Sequence, residues 1–237
     1  MDEQAKLSTR KKLLEYLPLA ITAVLLIVCG ITFKQHPIKL LPTLISLIVG
    51  LLSAKVSRYM FLLAGGNCVL YSIGFFMERL YPSAISALAI SFPSSVISFI
   101  LWSKNQTNTK EVIVRRLNRK SALLLIASVA AFWTVSYFVY KAMGTKSLIL
   151  DNSIFVLGIT ISVMQMLRYI ETPFLNLLSG IIGIVQWSIL TIENIANINY
   201  LIYQVFYFYC IALSAFKWIK LYRSQKSENA KETENSR

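Results

Sequence analysis

Eight long apolar segments dominate this sequence of 237 residues, and the short segments between them carry most of the charged side chains. An α-helix needs about 20 apolar residues to cross the hydrocarbon core of a bilayer. The segments are continuously apolar rather than alternating, which excludes the strands of a membrane barrel. We therefore predict an all-α integral membrane protein with eight transmembrane helices. The predicted spans are 15–34, 38–56, 59–78, 83–102, 121–142, 149–169, 173–192 and 199–220.

The composition excludes several other classes of protein. Hydrophobic residues make up 56% of the chain and charged residues only 15%, unlike a disordered chain or an ordinary cytosolic enzyme. The net charge is +13, but the basic residues lie between apolar segments instead of on one face of a folded module. We therefore expect the lipid bilayer, and no nucleic acid, as a partner. Cys29, Cys68 and Cys210 lie far apart within apolar segments and predict no disulfide framework.

The basic residues also predict the orientation of the chain. With eight spans, 19 of the 24 lysines and arginines fall on the side that holds both termini. The excess of basic residues marks the cytoplasmic side, so we predict a multi-pass plasma-membrane protein with both termini in the cytoplasm. Residues 1–14 form a cytoplasmic N-terminus, and the polar residues 221–237 form a disordered tail. The basic loop 103–120 is either an amphipathic turn on anionic headgroups or a solvated spacer.

Two stretches, 37–102 and 149–220, share a layout of three spans with short connections. Each stretch closes on a Trp-x-Lys sequence, at Trp102 and at Trp218. The span 121–142 between them gives the two triplets the same orientation in the membrane. The pattern predicts a 3+1+3 arrangement of parallel repeats, preceded by the additional helix 15–34. Such repeats place a solute site between the halves near the bilayer midplane and allow alternating access.

Charged side chains are missing from the centres of the predicted spans. The acidic residues nearest to them, Glu78, Asp151, Glu171 and Glu193, fall at or near span ends. Proton relays need buried charges, so their absence argues against an ion-coupled pump, although backbone carbonyls can still bind Na⁺. The sequence has one histidine and no Walker loop, H-E-x-x-H or Ser/His/Asp set. We therefore expect a facilitator rather than an enzyme, with no cofactor and no metal.

Polar and aromatic residues within the spans share helical faces, and these faces supply the candidate site. Amides can bind hydroxyl groups and aromatic side chains can stack on a ring, so the faces suit a small amphipathic solute. Packing between helices is the alternative, because small and amide residues often serve it in membranes. Pro93 within the fourth span is a hinge or a kink. The candidates for substrate binding are Asn67, Tyr71, Ser162, Gln165, Asn176, Trp187, Tyr203 and Tyr207, with Gly180 beside Asn176 and Tyr200 beside Tyr203.

Several short motifs, taken in order, resemble the nicotinamide riboside transporter (PnuC) family over about residues 38–220. They are Asn67-Cys-Val-Leu-Tyr71, Leu80-Tyr81, Phe92-Pro93, Trp102-Ser-Lys-Asn105, Leu150-Asp151, Arg168-Tyr-Ile-Glu-Thr172, Trp187 and Trp218. The resemblance implies a fold like that of the SWEET sugar facilitators and a vitamin-like nucleoside as substrate. It also implies uptake driven by phosphorylation inside the cell, and a homotrimer.

The family's ligand site depends on a Trp-x-x-Trp-x-x-x-Asn/Asp signature, and this chain departs from it. Aligned on Glu171, the signature positions are Pro173, Asn176 and Gly180. Nicotinamide riboside carries a pyridinium cation, and each lost indole removes about 1–2 kcal/mol of cation–π attraction. Either Tyr203, Tyr207 and Trp133 stack on the ring instead, or the solute differs and is thiamine, riboflavin or a deoxynucleoside.

We therefore predict an importer of nicotinamide riboside, or of a related vitamin or nucleoside, that works by facilitated diffusion with alternating access. Asn67 and Asn176 are the predicted hydrogen-bond partners of the solute, and Tyr71, Trp187 and Tyr207 stack or gate. Pro93, Trp133 and Gly180 are candidate gating or hinge residues. Two other classes stay open: a membrane scaffold or sensor that does not transport, and an ion-coupled exporter.

Overall fold

The computed structural model describes the backbone of residues 2–105 and 112–235 and the side chains of residues 16–105 and 112–228. Within these ranges the chain is helical, which confirms the predicted all-α membrane class. Seven described segments are long and apolar enough to span a bilayer, and Tyr16–Thr32 is a shorter apolar helix. The helices are α1 Asp2–Thr32, α2 Pro37–Ala54, α3 Met60–Met77, α4 Tyr81–Ile85, α5 Phe92–Lys104, α6 Arg119–Ala142, α7 Leu148–Met166, α8 Thr172–Glu193 and α9 Ile198–Asn235.

Local sequence signals explain where helices begin. His36 precedes α2, and its Nδ1 accepts a hydrogen bond from the N–H of Ile38 at 3.2 Å. Pro37 then occupies the first helical position, where its missing N–H costs nothing. Asn118 caps α6 in the same way, because its Oδ1 accepts from the N–H of Ser121 at 2.7 Å.

Four described helices end on a residue with a left-handed backbone that is not glycine. Lys34, Val56, Arg79 and Arg168 follow α1, α2, α3 and α7 with φ of 46°, 54°, 58° and 65°. In each case the N–H of the next residue returns to a carbonyl five positions earlier, as in Ser57 to Leu52 at 3.0 Å. This closure satisfies carbonyls that a helix end leaves without partners. The chain therefore turns tightly between spans.

The fourth span is continuous from Tyr81 to Lys104 but widens in its middle. The six residues Ser86–Ser91 between α4 and α5 form a π-helix. Proline at position 93 has no N–H to donate to the preceding turn, and the N–H of Phe92 donates instead to the carbonyl of Ala87, five residues back. The structural consequence of Pro93 is therefore a π turn, and a hinge role for it stays a prediction.

Six spans form a closed ring around a central space. Going around the ring, α2 packs on α3, α3 on α5, α5 on α7, α7 on α8, α8 on α9, and α9 returns to α2. Helix α6 lies outside the ring against α7, and α1 lies outside it against α2 and α9. The order is three spans, one outer span and three spans, preceded by one more helix. The relation of the two triplets as repeats of the SWEET type stays a prediction.

The ring has two ends, which we name by the residues found there. At the Trp102 end, the indole N–H of Trp102 donates to the carbonyl of Gln165 at 2.9 Å. The Trp102 ring meets Phe61 edge-on at 4.9 Å and Trp218 at 5.8 Å. At the opposite end, the Lys39 end, α2 begins and α3 ends, and Lys39 pairs there with Glu78. Aromatic packing thus joins the halves at one end and an ion pair lies at the other.

The loop 103–120 differs from both predictions made for it. Its first residues complete α5 and its last residues begin α6, and residues 106–111 lie outside the described part. Val112 and Val114 are buried against the tryptophans of the Trp102 end. Arg115 pairs with the chain after α7, because its N–H donates to the carbonyl of Arg168 at 2.9 Å. Burial, followed by the charge of Arg115, lowers the pKa of Arg168. Because Val112 and Val114 are buried, this segment packs against the helix bundle instead of lying in solvent or on headgroups.

The C-terminal end of the chain also differs from the prediction. Helix α9 continues to Asn235 through the stretch predicted as disordered, whereas the apolar part of α1, Tyr16–Thr32, corresponds to the first predicted span. Leu221 is buried, and the Gln225 side chain bonds the carbonyl of Val112 at 2.8 Å and the N–H of Val114 at 2.9 Å. These contacts to the loop hold the start of the predicted tail in a helix, which composition alone does not reveal.

Candidate functional site

A cavity of about 300 Å³ lies inside the six-helix ring. This volume is at the lower end of the range for small-molecule sites. Its lining comes from α3, α4, the π segment, α7, α8 and α9. We call its aromatic residues the aromatic wall and its hydroxyl and amide groups the polar wall. The lining includes Tyr71, Phe75, Ser83, Ser86, Ser91, Gly183, Gln186, Trp187, Tyr200, Tyr203, Gln204 and Tyr207.

The aromatic wall is a set of rings in contact. Trp187 stacks on Tyr200 with centroids 4.2 Å apart and an interplanar angle of 24°. Phe75 stacks on Trp187 at 6.2 Å and on Tyr71 at 5.4 Å. Tyr203 continues the wall at 6.3 Å from Tyr71. The faces of such rings carry partial negative charge, so the wall suits a planar or cationic ring.

Helical spacing and two glycines make this wall possible. Tyr71 and Phe75 are four residues apart on α3, so both project to the same face. A Cβ at Gly74 would lie 2.6 Å from the hydroxyl of Tyr200, so only glycine lets Tyr200 reach across. A Cβ at Gly183 would lie 2.5 Å from Nε2 of Gln204. The glycines therefore provide the room in which α9 side chains line the cavity.

A buried acidic group lies behind the polar wall. Asp151 in the first turn of α7 is fully buried and accepts a hydrogen bond from Ser83, which lines the cavity. Gln186 of α8 lies beside the same carboxyl group. Oδ2 of Asp151 and Nε2 of Gln186 are buried and have no hydrogen-bond partner among the described residues. Asp151 lies near a span end, as predicted, but the sequence does not predict its full burial behind the cavity.

A buried ion pair closes the ring at the Lys39 end. The ammonium of Lys39 contacts the carboxylate of Glu78, and both side chains are about 10% exposed. Asn197, which is fully buried, accepts from Lys39 at 3.4 Å and donates to Glu78 Oε2 at 3.1 Å. The three residues come from α2, α3 and the 3₁₀ turn before α9. They connect three elements of the ring at this end of the bundle, beyond the aromatic wall.

Smaller cavities continue from the central one toward the Trp102 end. Ser91 and Tyr207 line both the central cavity and a second one of about 120 Å³. Hydroxyl groups dominate the second cavity, which is lined by Ser53, Ser94, Ser95, Ser98, Ser162 and Gln165 among others. Gln165 also lines a third cavity, of about 10 Å³, together with Asn176 and Trp218. Polar side chains therefore line a series of separate cavities between the centre and the Trp102 end.

The structure brings several of the predicted residues together. Tyr71, Trp187, Tyr203 and Tyr207 line the central cavity. Three other predicted binding residues line the smaller cavities nearer to the Trp102 end. Ser162 and Gln165 line the second cavity, and Asn176 lines the third.

Three other predicted residues lie outside these cavities. The Asn67 amide donates to the carbonyl of Pro42 at 2.9 Å and to Ser46 Oγ at 2.8 Å, so it fastens α3 to α2. The indole N–H of Trp133 donates to Ser153 Oγ at 3.0 Å, between α6 and α7. Gly180 faces the ring of Phe208, which a Cβ would approach to 3.0 Å. Their contacts are those of packing residues.

Sequence reasoning missed Phe75, Ser83, Gln186 and Gln204 as lining residues. Gln186 and Gln204 lie inside apolar spans, where an amide is costly unless it has partners. That cost was a usable signal for both. Phe75 carried none, because a phenylalanine is ordinary in any membrane span. Among the described residues, no group of three or more His, Cys, Asp or Glu is placed to hold a metal ion.

Comparison with known proteins gives concordant results. Residues 36–220 match the family described as nicotinamide mononucleotide transporter. The chain is 24% identical over 180 residues to the nicotinamide riboside transporter PnuC of Neisseria mucosa, which covers 73% of this chain and 68% of that protein. It is also similar to the crystal structure of the vitamin B3 transporter PnuC, with a TM-score of 0.75 and 20% identity. That match covers 89% of this chain and 92% of the other.

Proposed function

Since the chain belongs to the nicotinamide mononucleotide transporter family, we propose that it carries nicotinamide riboside, a vitamin B3 precursor, across a membrane. The observation that carries this proposal is the central cavity inside the helix ring, which is lined by aromatic residues together with hydroxyl and amide groups. A flat heteroaromatic ring with an attached sugar has the same two chemical sides. Aromatic faces bind the ring, and hydroxyl and amide groups bind the sugar.

The aromatic wall answers the departure from the family signature. Pro173, Asn176 and Gly180 supply no indole at the signature positions. Trp187, stacked on Tyr200 at 4.2 Å, supplies one elsewhere on α8. A solute ring inserted against this pair or against Tyr71 gains the stacking that the signature positions lack. Nicotinamide riboside is therefore our first choice of solute, ahead of thiamine, riboflavin and deoxynucleosides.

The contacts at the two ends of the helix ring support alternating access. The ion pair of Lys39 with Glu78 lies beyond the aromatic wall, and the serine-lined cavities lead away from it. We infer that opening toward the Lys39 end separates this pair, and that opening toward the Trp102 end separates the packed tryptophans. The excess of basic residues assigns the Trp102 end to the cytoplasm of a plasma membrane. The transporter then works as a facilitator, without an ion gradient.

The family resemblance also implies a homotrimer, which we carry as part of the proposal. Helix α6 lies outside the ring and leaves large apolar side chains exposed, including Leu123, Leu124 and Phe138. Such a face is covered by lipid or by another copy of the chain. Light scattering of the purified protein in detergent, with the detergent mass subtracted, distinguishes one copy from three.

Uptake into liposomes that contain the purified protein tests the transport proposal. We expect saturable entry of labelled nicotinamide riboside that stops at equal concentrations on both sides and is indifferent to imposed pH or Na⁺ gradients. Trp187→Ala should lower this flux at least tenfold, because it removes a ring from the cavity wall. Trp133→Ala is the matched control, since Trp133 lies between α6 and α7 and should leave the flux unchanged.

Each contrary result points to a stated alternative. Saturable entry of thiamine, riboflavin or a deoxynucleoside, without entry of nicotinamide riboside, means that the fold serves a different solute. Flux that follows an imposed gradient means an ion-coupled transporter. Absence of saturable flux for every one of these solutes supports a scaffold or sensor and refutes the proposal.

A further inference from the structure

The buried carboxyl group of Asp151 has no positively charged partner in the described part of the chain. Its one hydrogen bond there comes from Ser83, and its Oδ2 has none. Two lysines of the fold have acidic partners of their own: Lys39 pairs with Glu78, and Lys146 pairs with Glu193 at 2.6 Å. A carboxylate removed from water without a counter-charge is strongly unfavourable. The start of α7 offers the positive end of a helix dipole, but this contribution is small.

The position of Asp151 shows where a counter-charge has room. Ser83 and Gln186 touch or flank its carboxyl group on one side and line the central cavity on the other. Nε2 of Gln186 is also buried and unpartnered, and Gln186 as a whole is about 2% exposed. Ser83 and Gln186 thus place the carboxyl group beside a cavity that is large enough for a small solute. Trp187 and Tyr200, whose ring faces carry partial negative charge, line the same cavity.

We propose that the Asp151 carboxylate is the counter-charge that makes the central cavity select solutes with a positively charged ring. The inference rests on the proposed function and deepens it, since it names the chemical property by which the solute is recognised. Charge interactions are strong in a buried site of low dielectric, so Asp151 acts on the ring from behind Ser83 and Gln186, which line the cavity. Ser83 and Gln186 are positioning residues that hold the carboxylate toward the cavity.

A comparison of two forms of one riboside isolates the charge. Nicotinamide riboside has a cationic pyridinium ring, and its dihydropyridine form has the same amide and sugar on a neutral ring. Calorimetric titration of the full chain in detergent should give a dissociation constant at least tenfold lower for the cationic form. Asp151→Asn should bring the two constants within threefold, chiefly by weakening the cationic form. The tenfold preference of the wild-type chain corresponds to about 1.4 kcal/mol. The affinity for the neutral form should stay within about twofold.

Two further variants keep the test valid even if the Asp151→Asn variant fails to fold. Gln186→Lys places an ammonium beside the carboxylate and should abolish the preference for the cationic ring while leaving Asp151 paired. Ser83→Ala removes the hydrogen bond but keeps the charge, so it should retain most of the preference. Thermal unfolding of each variant confirms that it is folded.

The outcomes separate this inference from the proposed function. If the wild-type chain binds neither form of the riboside, the proposed function is refuted. If it binds the riboside but prefers the cationic form less than threefold, the function stands and the role of Asp151 is overturned. The same conclusion follows if folded Asp151→Asn or Gln186→Lys retains the wild-type preference.

Discussion

The ion pair at the Lys39 end offers a sharp test of how the ring is closed. Lys39 and Glu78 are each about 10% exposed, and Asn197 bonds to both. The test is a double-mutant cycle with Lys39→Met, Glu78→Gln and the combined variant. Each single change leaves one charged group buried without its partner. The combined change leaves no charge at all.

The structure sets the expected magnitude. Breaking a buried pair by removing one partner costs about 3–5 kcal/mol, because the remaining charge is buried and uncompensated. Replacing both partners by groups of similar volume is close to neutral. The combined variant should therefore be more stable than either single variant. In a chain of this size about 1 kcal/mol corresponds to roughly 2–4 °C, so each single change should lower Tm by roughly 6–20 °C.

Thermal unfolding in detergent, followed by tryptophan fluorescence, measures these shifts. The exposed pair of Lys146 with Glu193 is the matched control, since its side chains are 42% and 46% exposed. Lys146→Met should cost no more than about 1 kcal/mol, as is usual for surface pairs. If the two single changes at the Lys39 end were mild and simply additive, the buried pair would not be what closes this end of the ring.

Three further predictions test the separation of packing residues from cavity residues. Asn67→Ala should lower stability by about 1–3 kcal/mol, because it leaves buried partners without hydrogen bonds; the KM for uptake should not change. Gly183→Ala should reduce uptake, since the added Cβ would displace Gln204 within the cavity. Gly66→Ala is the control and should leave uptake unchanged, because nothing lies within 4 Å of its Cβ. Flux measurements on the two variants test this difference. Arg79→Gly should raise Tm in thermal unfolding, because an exposed arginine there holds a left-handed backbone that is easier for glycine by about 1–2 kcal/mol.

Hydropathy predicted the spans well because insertion of a helix in a bilayer depends mainly on its own composition. The C-terminal end of the chain and the loop before α6 are predicted less well, because their structure depends on contacts with other parts of the fold. Val112, Val114, Leu221 and Gln225 become ordered through contacts with one another and with the Trp102 end. No local property of a short polar segment shows that a partner for it exists elsewhere in the fold.

The candidate site was half predictable, and the failures have a physical cause. Tyr71, Trp187, Tyr203 and Tyr207, which helical spacing predicts as substrate-binding residues, line one cavity, and their role in binding stays a prediction. Asn67 was also predicted as a substrate-binding residue, but its amide donates to the carbonyl of Pro42 in α2. A sequence gives the spacing of residues on a helix but not the rotation of the helix in the ring. That rotation depends on the neighbouring helices.

The replaced signature positions and the aromatic wall lie at different depths on one helix. Asn176 and Trp187 are separated by three turns of α8, which is roughly 16 Å of helix axis at 1.5 Å per residue. Asn176 lines the small cavity near Trp218, whereas Trp187 lines the central cavity with Tyr200. A solute ring that stacks on an indole of this chain therefore binds nearer to the Lys39 end than the signature positions would place it. Under the proposed function, the ring of the solute is then recognised by the aromatic residues of the central cavity and not at the signature positions.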